Sequence, residues 1–492
     1  MKFFVKAKRI AIFVLMFALT TFAKAQSSLA FYPLEDHFSS SAFNPAFLTS
    51  PKKFTFSIAP MGGTTIGYNN QAIIKDLLSQ ILSGVPTGDD YYREVLESLT
   101  SKNMFNQSIE SSLLSFTMRT NMGFFNFRIK ETESFSASAK GDLMSFILKE
   151  GIQSTVTEKI QDLPAQAVHF REYSLGYSYK SAMNRFSAGI RTKLYFGKAA
   201  MYSSLSGSVN NESGSYILKT NGNVNISFPE AEDRKETGGT DITKVSGTKI
   251  VDYLFNNGNV GLGVDLGFKY RFTPDISFSM SIIDLGKINW KTNLNTRKFR
   301  DFKLPESSYS IITDEIGVET IAKFDYAYSD SIADYLDKNI DTTSFSKPLP
   351  LTVYAGFKFR LNPKVTISLT DKLVLVQDLN YNSFSATANI DFKRGLSVST
   401  GYSVIGDSYF NIPVAVFFKK DFGQIYFGTD NIASFILPSI SDYASFSFGT
   451  CFYLFKNSRT RSNSQVDYPF FKPRKIKRYG KGGRIAVPYP ES

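Results

Sequence analysis

Arg128 and Lys130 stand two residues apart, and so do Arg191 and Lys193. In an extended chain the side chains at i and i+2 point to the same face. Each pair would therefore present two cations to one side of a strand. Two such pairs facing a common space would favour an anion or the carboxylate head of an amphiphile, which makes these four the candidate ligand residues. Arg119, Lys269, Arg271, Lys358, Arg360 and Lys393 occupy equivalent positions toward the other end of their segments, while the facing acids are few: Glu172, Asp265 and Asp391. Other chemistry is thinly supplied. The two histidines, His37 and His169, leave little for imidazole acid–base or metal work, and the single Cys451 excludes a disulfide framework or a multi-Cys zinc site. There is no Gly-x-Ser-x-Gly elbow, no His-Glu-x-x-His and no Walker loop. No catalytic residue, metal ligand or cofactor is expected, and the chain is read as a non-enzyme.

The segments that carry these bases alternate with period 2. Val260, Leu262, Val264, Leu266, Phe268 and Tyr270 share one face, with Gly261, Gly263, Asp265, Gly267, Lys269 and Arg271 on the other. Leu351–Leu361, Phe384–Lys393 and Phe186–Phe196 repeat the pattern. A soluble sandwich would bury the apolar face; a transmembrane barrel would turn it to lipid and keep a polar lumen. The segments run to about 10–14 residues, more than the usual soluble strand and enough to cross a bilayer. No mature stretch has 18 consecutive apolar residues, so a helical span is excluded. The fold expected is all-β: a transmembrane antiparallel barrel of about 14–16 strands. Sixteen segments qualify, with 199–209, 364–376 and 422–430 the weakest. The long gaps at 61–110, 132–166, 229–257 and 286–349 all fall on one side of the barrel, and the short turns near Ser181, Pro274, Pro363 and Gly395 on the other. Outer-membrane barrels sort their connections in this way, with long loops outside and short turns in the periplasm. Within two long loops, residues 71–83 and 141–162 show apolar residues at helical spacing, which predicts short loop helices.

Net charge is +12. Residues 1–25 contribute +5 and residues 456–492 contribute +8, which leaves 26–455 at −1. The first end reads as a signal peptide over 1–25: a basic start to Arg9, an apolar run Ile10–Phe22 and an Ala23-Lys24-Ala25 cleavage site. Residues 26–52 form a short plug segment in this reading, 53–455 the barrel, and 456–492 a basic periplasmic tail. The tail lacks periodicity, and peptidoglycan or a periplasmic protein is its expected target; nucleic acid is absent from that compartment. Outer-membrane lipid is the expected partner of the apolar face.

Three stretches carry a family resemblance. Asn44-Pro45-Ala46, between leader and first strand, is similar to the plug motif of the FadL/PorV-like superfamily of outer-membrane barrels, which includes Bacteroidota members of unknown function. Gly263–Tyr270 (GVDLGFKY) resembles a GxDLGxxY strand of the PorV-like branch, and Ser281–Gly286 (SIIDLG) resembles the strand that follows it. Ser447–Leu454 resembles the terminal-strand signal read by the barrel-assembly machinery. The resemblance implies a cell outer-membrane location and passive uptake or binding of a small hydrophobic or amphipathic ligand. The PorV-like branch implies the alternative: a non-transport accessory in outer-membrane assembly or secretion.

Overall fold

The computed structural model describes residues 29–35, 37–59, 62–69, 103–139, 158–160, 165–181, 185–212, 215–228, 253, 255–299, 302–304, 309–313, 319–324, 340–376, 380–406, 408–436, 441 and 443–455. The leader (1–25), the tail (456–492) and the expected loop helices at 71–83 and 141–162 fall outside these residues, apart from 158–160, which are strand.

Alternation of residue type becomes alternation of exposure. Along Asn259–Arg271, Leu262 is 68% exposed and Asp265 is fully buried. Leu175, Ile190, Leu266, Met280, Phe357, Ile367, Phe384 and Phe427 point out in the same manner, while Ser115, Thr117, Ser279, Ser368, Thr387 and Ser399 are buried inside. An apolar outside around a polar inside is the inverse of a soluble domain and suits strands solvated by lipid. Toward the short turns the outer face carries Tyr179, Phe186, Tyr270, Phe272, Phe392, Phe422 and Phe455, an aromatic girdle of the kind that marks a membrane interface.

The strands close into an antiparallel barrel of 14. The first is made of Phe54–Ile58 continued by Thr64–Asn69; both pieces pair with the last strand, Tyr443–Leu454, and this pairing closes the wall. Between them run Asn103–Arg119, Phe124–Ala139, Ala165–Lys180 and Phe186–Glu212, each paired to its predecessor. The remaining strands follow in chain order, through Leu351–Arg360, Val365–Leu375 and Tyr381–Asp391 to Leu396–Ile405, Val414–Lys420 and Gly423–Thr429.

Two pairs of the sixteen candidate segments are single strands. Segments 184–196 and 199–209 are one strand, Phe186–Glu212; the register slips at Lys198, opposite His169 and Phe170, and that bulge interrupts the period. Segments 214–228 and 258–271 are collinear: Ser215–Ser227 pairs with the upper part of that strand and Asn259–Arg271 with its lower part. The 229–257 gap is therefore an insertion within one descending strand. Part of the 286–349 gap is also wall, since Ile276–Trp290 continues as Thr296–Phe299 and Phe302–Leu304, and Phe345–Pro348 precedes Leu351–Arg360.

Candidate functional site in a plugged lumen

Residues 29–35 and 37–50 lie inside the barrel. Leu29, Ala30, Phe31, Tyr32, Asn44, Ala46, Phe47 and Leu48 are each at most 1% exposed. Ser50 Oγ bonds to Thr55 of the first strand, 2.7 Å away, so the segment leads directly into the wall. Its other end is held by Asp430, whose carboxylate accepts the Ala30 and Leu29 N–H groups at 2.8 and 3.3 Å. Phe31 sits edge-on to Phe417 and Tyr426, and Tyr32 stacks on Tyr354 with ring centres 4.8 Å apart. Burial pushes the Tyr32 phenol up to about 12, so it stays a neutral donor, here toward Ser279 Oγ.

The Asn44-Pro45-Ala46 motif has a steric reason. Asn44 caps the short turn Pro45–Phe47 by accepting the Ala46 N–H at 2.9 Å, and its amide donates to the Tyr32 hydroxyl at 3.3 Å and to the Met280 carbonyl at 3.2 Å. The motif lies in a notch made by Gly189 and Gly267, which are opposite each other on neighbouring strands. A Cβ on Gly189 would lie 2.3 Å from the Pro45 carbonyl carbon, and one on Gly267 2.1 Å from Asn44 Oδ1. Gly267 is a glycine of the GVDLGFKY strand, so the two resemblance motifs are two halves of one contact.

The structure brings the four candidate ligand residues together, inside the barrel, with carboxylates. Arg128 meets Glu172 at 3.1 Å and Lys130 meets Glu110 at 3.3 Å. Arg191 meets Asp265 at 2.9 Å and donates to the Ser41 carbonyl of the plug at 2.7 Å. Lys193 lies 2.6 Å from Asp284, 2.8 Å from Asp265 and 3.3 Å from Glu172. All four bases are at most 7% exposed. Four cations thus meet four carboxylates, and the cluster is close to neutral. Asp284 was missed in sequence because it interrupts the alternation. It occupies a bulge between Ile282 and Leu285 with φ of 63°, and Asp265 accepts its N–H at 2.8 Å. The second DLG motif is this bulge. Of the other inward bases, Lys269 and Lys358 face plug Glu35, the latter at 3.7 Å.

A cavity of about 100 Å³ borders the cluster. Glu110, Thr132 and Asp284 line it on one side; Phe170, Leu349, Val374, Val376, Ile405 and Tyr443 supply apolar wall. Lys372 also faces it and is 6% exposed. Its ammonium lies 5.9 Å from the centre of the Tyr354 ring, and among the described residues no carboxylate lies within 4 Å. Sequence reading missed Lys372 because Asp371 beside it puts a charge on the lipid side of a strand that already read as weak. The described residues hold no group of three or more His, Cys, Asp or Glu placed to bind a metal ion.

No curated protein matches the chain. Among solved structures, a TodX deletion mutant described as a monoaromatic hydrocarbon channel is similar at 9% identity and a TM-score of 0.40, over 84% of this chain and 93% of that one. The Pseudomonas putida toluene transporter TodX gives 10% identity, 84% and 92% coverage and a TM-score of 0.35. The Ralstonia pickettii toluene transporter TbuX gives 11% identity, the same coverage and the same TM-score. The model of a family of unknown function, DUF5723, matches residues 45–430, from the proline of the plug motif to the aspartate that holds the plug's other end, and the chain belongs to that family.

Proposed function

We propose that this chain is an outer-membrane barrel that binds a small amphipathic or hydrophobic ligand in its lumen and passes it without an energy source, with residues 29–50 as its plug. The observation that carries this reading is the cavity beside the ion-pair cluster: an apolar wall of Phe170, Leu349, Val374, Val376 and Ile405 facing a polar one, with buried Lys372 between them and no carboxylate of the described residues within 4 Å of its ammonium. In this reading Arg128, Lys130, Arg191 and Lys193 serve the ligand at one remove, by building the cavity floor and gripping the plug, while Lys372 takes the anionic head. A volume of about 100 Å³ suits a head and its first carbons, since whole drug-sized ligands fill roughly 300–1,000 Å³. The plug motif resemblance points the same way. Lipid meets the aromatic girdle and apolar belt, and the last strand carries the signal for the assembly machinery.

The test is binding of a fluorescent medium-chain carboxylate to protein purified in neutral detergent. Lys372→Met keeps the side-chain length and removes the charge, so affinity should fall roughly tenfold or more, as for loss of a buried charge-assisted contact. Binding of the matching alcohol should change little. Equal binding of the carboxylate to both proteins would refute the role of Lys372.

A second reading, a non-transport accessory of the PorV-like kind, is favoured by the tight filling of the short-turn half by the plug. Liposome swelling separates the two: solute flux supports passage, and its absence with a co-purified periplasmic protein supports the accessory role. In either reading the basic tail is a separable periplasmic tether. Deleting residues 457–492 should leave heat-modifiable migration intact while lowering salt-sensitive retention on peptidoglycan; a truncated protein that fails to assemble would make the tail part of the fold.

A further inference from the structure

Charge is unevenly placed along the barrel axis. At the short-turn end, several strands end on a base that continues the inward-facing row. Lys53 follows buried Thr55 two positions away, Arg119 follows Thr117, Lys180 follows Ser178, Lys364 follows Thr366 and Lys419 follows Phe417. Arg271 and Arg360 continue the rows of Lys269 and Lys358, which face Glu35. The acids at equivalent positions are Asp275 and Asp391. No carboxylate of the described residues lies within 4 Å of Arg119, Arg271, Lys364 or Lys419. Beside the ring, Pro51, Lys52, Arg394, Lys419, Lys420, Asp421 and Tyr453 frame a recess of about 460 Å³. The strand that ends at Leu454 delivers the tail, +8 over residues 456–492, to the same end. Since 26–455 sums to −1, this basic mouth is balanced by acid elsewhere in the body.

The placement discriminates between anions. These side chains belong to rows that face the barrel axis, whereas the outer wall at this level is aromatic, so lipid headgroups around the barrel are not what the ring faces. A small ion would reach one or two of the bases, which are spread over the whole circumference. A concave mouth in which one sign of charge predominates concentrates field and attracts extended, multiply charged partners. We infer that the short-turn mouth is a docking surface for an acidic, Asp/Glu-rich polypeptide segment of a partner on that side of the membrane. This inference stands independently of the lumen ligand.

The probe is a labelled 20-residue glutamate-rich peptide, read by fluorescence anisotropy against detergent-purified protein. Three proteins are compared with wild type: the mouth variant Arg119→Gln/Arg271→Gln/Lys364→Gln/Lys419→Gln, a control Lys287→Gln/Lys291→Gln at the opposite end, and the truncation lacking 457–492. Heat-modifiable migration confirms that each is folded. The mouth variant should bind roughly tenfold or more weakly, the control should match wild type, and raising salt from about 0.05 to 0.5 M should weaken wild-type binding by a similar factor. The truncation should keep most of the binding. Unchanged affinity in the mouth variant, an equal loss in the control, or complete loss on truncation would each overturn the inference. So would a mouth variant that loses anionic-vesicle binding but not peptide binding.

Discussion

Gly189→Val is expected to open the barrel to ions without unfolding it. A side chain at Gly189 meets plug backbone, with the Pro45 carbonyl carbon 2.3 Å and the Ala46 nitrogen 2.5 Å from the new Cβ. Backbone cannot rotate aside as a flexible side-chain tip can. The cluster behind it is close-packed, so relief must come from movement of residues 44–48 as a unit. Overpacking of this kind costs about 1–3 kcal/mol where neighbours can adjust and more where they cannot. The strand itself loses nothing: valine suits an extended conformation, and the register that sets Gly189 between Ser178 and Gly267 does not depend on the side chain. Planar-bilayer recording is the check. Wild type should be closed for most of the time, and Gly189→Val should show steady conductance with unchanged heat-modifiable migration. Closed recordings from a folded variant would mean that the plug does not seal the lumen.

The second large effect is on stability. Lys193 is the hub of the interior, within 3.3 Å of Glu172, Asp265 and Asp284, and its side chain has no exposed surface. Lys193→Met leaves those carboxylates with less countercharge in a buried site. Removing one partner of a buried pair costs about 3–5 kcal/mol, because the remaining charge cannot return to water. The temperature at which the compact gel band converts to the slow one should therefore fall. Arg191 would still hold Asp265, at 2.9 Å, so the loss should be partial, and adding Asp284→Asn to Lys193→Met should recover part of it. Methionine at 193 with an unchanged conversion temperature would show that the cluster contributes nothing to stability.

How much of this was legible in sequence follows from what alternation can report. Period 2 in Val260–Arg271 states which face is lipid-side, and the Leu262–Asp265 contrast follows. Alternation also found the four inward bases, since i and i+2 share a face whatever the partner. It could not show that Glu110 and Asp284 face them, because pairing across strands depends on register and, for Asp284, on a bulge. Bulges likewise divided Phe186–Glu212 into two candidate segments at Lys198. Alternation put Tyr195 and Tyr354 on the polar face, where both are buried, but the inward aromatics Tyr202, Trp290 and Phe417 were illegible for another reason. A polar-lumen rule assigns aromatics to lipid, but a plugged barrel needs an apolar interior to hold its plug. Alternation put both notch glycines, Gly189 and Gly267, on the inward face; the reason for glycine there, close approach of Asn44 and Pro45, needed both segments in space.

The most direct test of the ligand-binding account is a mass spectrum of the small molecules released by organic extraction from wild-type protein purified out of membranes, beside the same extract from Lys372→Met. The account predicts a short list of amphiphiles with an anionic head, stoichiometric in wild type and depleted in the variant, while neutral hydrophobic species are shared by both. Identical extracts, or a wild-type extract holding only the bulk phospholipids of the surrounding membrane, would contradict it.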